Sequence, residues 1–138
     1  MKKIVIIIFT LFTLSIKAQD ITTQTLYSYM VEIDIQHPEI VMAQAKLESG
    51  RFKSIIFREN NNLFGMRLPV RRKTTAIGKN RGYAVYRDWK ASVRDYKLWQ
   101  DRMINKGNSD DDYLRYLQEH YAKNEQYIRI LRKMICKF

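Results

Sequence analysis

Residues 38–65 read PEIVMAQAKLESGRFKSIIFRENNNLFG, a helical pattern that runs into a glycine, a connector and three successive asparagines. Pro38 suits the first position of a helix and Gly50 the left-handed position just past its end, so the pattern predicts a helix over Pro38 to Glu48. Ile40, Ala43 and Leu47 form its buried side. Glu48 continues the row of Val41 and Ala45, which sets its carboxyl at the edge of the apolar face and out of open solvent. Partial burial and the negative end of the helix macrodipole both disfavour the charged form and raise the pKa. A carboxyl that holds its proton in this way meets the requirement for a general acid.

On the N-terminal side, Leu26, Met30 and Ile33, with Tyr27 and Tyr29 interleaved, predict a first helix within residues 21–35. His37, placed directly before Pro38, reads as a capping or turn residue and not as a catalytic one. On the C-terminal side, Ser54 caps a short helix through Phe57 and Arg58, which the asparagine run halts because Asn tolerates left-handed and turn geometry. From Met66 to Tyr86 the pattern changes. Val70, Thr74, Thr75 and Ile77, the glycines Gly78 and Gly82, and the alternating Tyr83, Ala84, Val85 and Tyr86 predict a small hairpin or extended lobe. That lobe carries Arg71, Arg72, Lys73, Lys79 and Arg81 and no acid.

Helical periodicity returns at Asp88, an N-cap, with Trp89, Val93, Tyr96 and Met103 on one face until Gly107. Asn108, Ser109 and Asp110 cap a further helix bearing Tyr113, Leu114, Leu117 and Tyr121. A last helix runs from about Asn124 through Ile128, Leu131 and Ile135. Trp89, Trp99 and most of the nine tyrosines read as core or core-edge residues, since large aromatics at helical spacing usually pack. No internal repeat or low-complexity linker divides the chain.

Residues 1–18 read as an export signal: Lys2 and Lys3, an apolar run from Ile4 to Ile16, then Ala18. The run is short and interrupted by Thr10, Thr13 and Ser15, so cleavage is favoured, with an uncleaved anchor as the alternative. The remainder, residues 19–138, suffices for one compact domain with one core. The chain holds 25 Lys and Arg against 14 Asp and Glu, and it stays strongly basic with the signal set aside. Such a field favours a polyanionic partner without saying which one. Cys136 is the single cysteine, so an intramolecular disulfide is excluded; it reads as a partly buried small apolar residue. With only His37 and His120 besides, neither a zinc site nor a Cys/His nucleophile is supported, and no metal or cofactor is expected.

Taken together, Ala43 to Gly50, Ser54, and Asn61-Asn62-Leu63-Phe64-Gly65 resemble the signature of the bacterial cell-wall glucosaminidases of glycoside hydrolase family 73. Tyr83-Ala84-Val85-Tyr86 followed by Ser92 to Tyr96 is similar to the aromatic strand and following helix of that family. Tyr121-Ala122-Lys123-Asn124 with Tyr127 is similar to its C-terminal tyrosine motif. The resemblance covers about residues 38–135 and implies a mainly α, lysozyme-like helical domain with a small β-hairpin lobe. It implies hydrolysis of the β-1,4 bond after N-acetylglucosamine in peptidoglycan, with residues 19–138 as the glucosaminidase domain. Glu48 corresponds to the general acid. Asn62, Leu63 and Phe64 would shape the cleft floor, while Tyr83, Tyr86 and Tyr121 would contact sugar or hold Glu48, with Tyr121 favoured as the direct partner of the acid. The expected partner is the glycan strand of peptidoglycan, met by a monomer in the periplasm or outside the cell, without stable membrane insertion once the signal is removed.

Two departures stand out. Phe52 occupies a position where many members have a second glycine, so the turn after the acid must be built differently. Glycosidases also commonly pair the acid with a second carboxylate, and between Glu59 and Asp88 there is none. Glu59 itself reads as a solvated helix-end residue more readily than as a group approaching the cleft. No base is assigned, and participation of the substrate's N-acetyl group or of a tyrosine stays open. A lytic transglycosylase or muramidase would share the fold and the glutamate, and a non-catalytic basic module binding wall polymer is a further alternative. Nucleic-acid binding is disfavoured by the export signal and by the lack of a recognised motif.

Overall fold

The computed structural model describes residues 21–104 and 109–136. The expected signal, residues 1–18, and Gly107 lie outside the described residues. The elements run, in chain order, α1 (Thr23–Glu32), α2 (Pro38–Glu48), α3 (Ile55–Asn60), β1 (Gly78–Asn80), β2 (Tyr83–Val85), α4 (Trp89–Met103), α5 (Asp110–His120) and α6 (Glu125–Ile135). None of the described helices is long and apolar enough to cross a membrane.

The second helix is the axis of the body. Pro38 opens it, behind a left-handed His37, and helices α1 and α6 pack on it. Ile40 through Ala45 are therefore buried in succession, where the sequence pattern predicts one apolar side. Leu47, placed on that side, is half-buried. Each large apolar side chain withdrawn from water here contributes about 1.5–3 kcal/mol. The core continues through Leu26 and Met30 of α1, Leu63 and Phe64 of the asparagine loop, Val93 and Tyr96 of α4, Leu114 and Leu117 of α5, and Leu131 of α6.

Side-chain caps open the helices, at Ser54 and Asp88 as the sequence predicts. Thr22 forms a capping box with Thr25, and Ser54, Asp88, Ser109 and Asn124 each accept a backbone N–H from the first turn of their helix. His37 occupies the turn, but its side chain makes no cap bond. Its ring stacks on Tyr113 with centroids 4.6 Å apart, and Nδ1 meets Asp110 at the start of α5. The fourth helix stops at Met103, and Ile104 is extended.

The lobe is more irregular than its β-branched residues suggest. Only Gly78–Asn80 and Tyr83–Val85 pair, antiparallel, with Gly78 opposite Val85 and Asn80 opposite Tyr83. Arg81 and Gly82 make the two-residue turn with φ of 53° and 83°, the left-handed geometry that a tight hairpin requires. Val70, Thr74 and Thr75 lie outside the strands, and Val70 is 97% exposed. Side chains, not strands, fix this segment: Arg72 reaches the Asp95 carboxylate of α4 with bonds of 2.7 and 3.0 Å, and Thr75 donates to the Ala91 carbonyl. Cys136, read as partly buried, is exposed, because it follows the last turn of α6 on the outside of the molecule.

Candidate active site

The end of α2 sets the position of Glu48. Gly50 N–H bonds to the Leu47 carbonyl and Arg51 N–H to the Lys46 carbonyl, the two bonds of a Schellman motif with Gly50 left-handed. The turn that follows departs from the glycine-rich form of the family. Arg51 and Phe52 both take positive φ, 54° and 67°, a conformation that costs an L-residue about 1–2 kcal/mol. Ser49 compensates from within: its hydroxyl accepts from Phe52 N–H and donates to the Ala45 carbonyl, and its carbonyl accepts from Lys53 and Ser54.

Across from that turn, the asparagine run does more than halt a helix. The Asn60 side chain exchanges bonds with the backbone and side chain of Asn80, and Asn61 donates to the Tyr86 carbonyl. Asn62 is 1% exposed. Its amide donates to the Met66 and Ala84 carbonyls, and its oxygen accepts from Phe64 and Met66 N–H. The loop is thereby locked to β2 and brings Gly65, with φ of +62°, against Glu48. A Cβ at position 65 would stand 3.5 Å from Glu48 Oε2. The acid thus lies over glycine backbone, with one face free of side-chain bulk.

Burial raises the pKa of Glu48 above its ordinary 4.5, and the Tyr127 hydroxyl, by hydrogen bonding to the carboxylate, opposes that rise. Among the described residues no charged side chain enters the balance. Tyr127 in turn is pushed well above the usual tyrosine range by its own burial and then by the nearby Glu48 charge. It accepts a bond from Gln44 Nε2 at 3.2 Å, and Gln44 is fully buried. Behind Gln44 the chain of bonds continues: Tyr96 donates to Gln44 Oε1, Tyr96 and Tyr113 share a bond, and Gln100 donates to Tyr113 at 3.0 Å. Gln100 also clasps the backbone of Gln36 through both ends of its amide. An uncharged polar file therefore crosses the core from the α1–α2 connection to the acid, with its donors able to point towards Glu48. Burial pushes Tyr113 up to about 12 and Tyr96 well above its ordinary value, so the file stays protonated.

The residues singled out in the sequence divide into two groups. Tyr121 stands with the acid: the Glu48 charge, after burial, helps raise its pKa, its ring stacks near Tyr127 with centroids 6.3 Å apart, and its hydroxyl donates to the Phe64 carbonyl. The bond to Glu48 belongs to Tyr127. Phe64 and Tyr86 are each 1% exposed; Phe64 lies 4.3 Å from the Tyr96 ring, and the Tyr86 hydroxyl donates to Asp95 at 2.6 Å. Asn62, Phe64 and Tyr86 are therefore framework beneath the site, without open surface of their own. Tyr83 is half-buried on the lobe, beside Arg67, Leu68 and Gly82.

Gln44 and Asp95 lie within the motifs of the resemblance but have no role assigned by the sequence, although each carries a signal. Gln44 is the one polar residue in the run Ile40–Ala45, and a polar group inside an apolar run implies a buried partner. Asp95 follows Ser92 by three residues on the inner side of α4, where burial requires pairing. Burial alone would raise its carboxyl, but the bonds from Arg72 and Tyr86 hold it below the ordinary aspartate value. Glu59 grips Arg81 with bonds of 2.6 and 3.2 Å on the surface. A separate cavity of about 350 Å³ between α5 and α6 is lined by residues such as Asp111 and Arg132 and contains neither Glu48 nor its tyrosines.

A family model for the glucosaminidase domain, described as mannosyl-glycoprotein endo-beta-N-acetylglucosaminidase, matches residues 23–138. Protein bax of Escherichia coli (strain K12) is 42% identical over 64 residues, 46% of this chain. The chain spans only 23% of the length of that curated relative. A chain in a type VI secretion system effector–immunity complex from Pseudomonas protegens superimposes with a TM-score of 0.68 at 18% identity, over 83% of this chain and 86% of that one. The catalytic domain of the autolysin Auto from Listeria monocytogenes gives a TM-score of 0.55 at 20% identity, over 83% and 78%. At these identities the structural likeness is one of fold. With the family model covering nearly all the described residues, the chain belongs to the glucosaminidase family, glycoside hydrolase family 73, on a lysozyme-like helical fold with a small β lobe.

Proposed function

We propose that the protein hydrolyses the β-1,4 bond between N-acetylglucosamine and N-acetylmuramic acid in peptidoglycan, with Glu48 as the general acid. The observation that carries the reading is a single carboxyl, half-buried over the backbone of Gly65, whose pKa is raised by desolvation and whose hydrogen-bonding neighbour is an uncharged tyrosine. Glu48 donates its proton to the glycosidic oxygen as the bond to the anomeric carbon breaks. Water adds at that carbon, and the proton it releases restores the acid. A positioned acid of this kind contributes about 10²–10⁴-fold to rate.

No protein carboxylate is assigned as its partner. Asp95 is buried in its Arg72 pair and Glu59 is engaged by Arg81 on the surface, which suits a reaction in which the substrate's own N-acetyl group supports the anomeric centre. The same observation favours a second reading, a lytic transglycosylase, in which Glu48 protonates the leaving oxygen and then accepts the proton of the sugar's own 6-hydroxyl. Reading residues 1–18 as an export signal supports a reaction outside the cytoplasm, and the basic charge of the chain suits an acidic wall.

Digestion of purified peptidoglycan by the wild type and by Glu48→Gln, with the new ends identified by mass spectrometry, tests these readings. Reducing N-acetylglucosamine from the wild type alone is the expected result. Reducing N-acetylmuramic acid would make it a muramidase, and 1,6-anhydro ends a transglycosylase. Equal products from both proteins would remove Glu48 from the chemistry.

A further inference from the structure

We infer that the cavity on the β lobe is a subsite for a carboxylate carried by the lactyl–peptide branch of the glycan; the inference rests on the hydrolase reading above. The cavity measures about 360 Å³ and is lined by Arg67, Leu68, Lys79, Arg81, Gly82 and Tyr83, within the size range of small-molecule clefts. Three of its six lining residues are cations and none is an acid. Arg81 is held in place by Glu59 from outside. Among the described residues, Arg67 and Lys79 have no acidic partner.

The backbone ties this cavity to the acid. Gly65 lies against Glu48, and the Met66 carbonyl accepts Ala84 N–H at 2.9 Å, so the chain leaving Gly65 runs beside β2 into the cavity wall. Arg67 is two residues beyond Gly65, at most about 7 Å of chain. A group bound there belongs to a sugar next to the cleaved bond. In a glycan of alternating sugars, every second sugar bears a lactyl ether whose carboxyl is free or extended by an acidic peptide. Guanidinium and ammonium groups bind such a carboxylate through charge-assisted hydrogen bonds, while Leu68 and the Tyr83 ring offer apolar surface to the sugar or the lactyl methyl. The subsite thus selects muramic-acid glycan over unbranched chitin.

The test is direct binding to the full chain carrying Glu48→Gln, so that nothing is consumed. Three soluble ligands of equal length are titrated by calorimetry: glycan bearing peptide stems, the same glycan stripped by an amidase to leave lactyl carboxylates, and chitin oligosaccharide. At least one carboxylate-bearing ligand is expected to bind about tenfold more tightly than chitin. Adding Arg67→Ala and Lys79→Ala is expected to remove that advantage and leave chitin binding unchanged, which also shows that the variant is folded. A preference for the stem-bearing ligand assigns the stem carboxylate, and one for the stripped ligand the lactyl carboxylate. Equal affinity for all three ligands, or a preference that survives both substitutions, overturns the inference. Absence of turnover by the wild type would instead sink the hydrolase reading and leave the binding result standing.

Discussion

Glu48 and Asp95 are both carboxyls taken out of water, one at the floor of the helical body and the other at the seam where the lobe meets α4. The body surrounds Glu48 with tyrosine and glutamine, which hydrogen-bond without carrying charge, so desolvation prevails and its pKa is raised. The seam gives Asp95 a bidentate arginine and a tyrosine hydroxyl, which outweigh its burial and keep it ionised. Burial alone therefore assigns no role to an acid. Partner charge decides whether the pKa of a buried carboxyl rises or falls.

The comparison breaks most visibly at Glu48→Gln. Turnover should fall by about 10²–10⁴-fold in a reducing-end assay. Stability should move the other way: a carboxyl whose folded pKa exceeds 4.5 loses stability as pH rises from that value through the folded one. The variant's melting temperature should therefore equal or exceed that of the wild type at neutral pH and converge with it below pH 4.5. If Glu48→Gln instead melts earlier at pH 7, the body treats its acid as the seam does.

Asp95→Asn should show the opposite signature. Removing one member of a buried ion pair costs about 3–5 kcal/mol, read as a large drop in urea midpoint at neutral pH. Because the folded pKa lies below 3.8, the stabilisation is present above that value and is lost as pH falls through the lowered one. The gap between variant and wild type should therefore narrow in acid.

A finer test separates the two tyrosines beside Glu48. The Tyr127 bond lowers the Glu48 pKa, so Tyr127→Phe should raise it further and shift the alkaline limb of the activity profile to higher pH. Tyr121→Phe, which gives up a bond to the Phe64 carbonyl, should leave the midpoint of that limb in place. A shift with Tyr121→Phe alone would return the direct contact to Tyr121.

The smallest expected effect is at Arg51→Gly. Relief of a left-handed arginine, offset by the greater freedom of glycine in the unfolded chain, should stabilise the protein by about 0.5–1 kcal/mol. The pH profile should not move, since Arg51 is exposed and does not enter the Glu48 balance.

Local chemistry makes much of this architecture legible in the sequence. Pro38, Gly50, Ser54, Asp88, Ser109 and Asn124 are start and stop signals that act within a few residues, and the helices obey them. Glu48 was legible for the same reason, because its place at a helix end follows from spacing. Illegible were the pairings made across long stretches of chain: Gln44 with Tyr96 and Tyr127, and Arg72 with Asp95. The β-branched residues 70–77 suggested strand, but strand needs a neighbour to bond to, and side-chain anchors to α4 took its place. Burial of the asparagine run was also hidden, since Asn alone reads as a turn former and only the adjacent hairpin turns it into a clamp.

The Asn62 amide uses both of its N–H groups and its oxygen on backbone, buried where water does not reach. An aspartate of the same shape would offer no N–H to Met66 or Ala84 and would bring a charge into that space. Deamidation, the slow chemical ageing that turns asparagine into aspartate, needs water and a following N–H free to close on the side chain; here water is excluded and the Leu63 N–H is bonded to Ser92, so the fold that depends on this amide also shields it. One hydrolysed amide would loosen the loop that lays Gly65 against the acid, and a molecule with every catalytic side chain intact would go out of service.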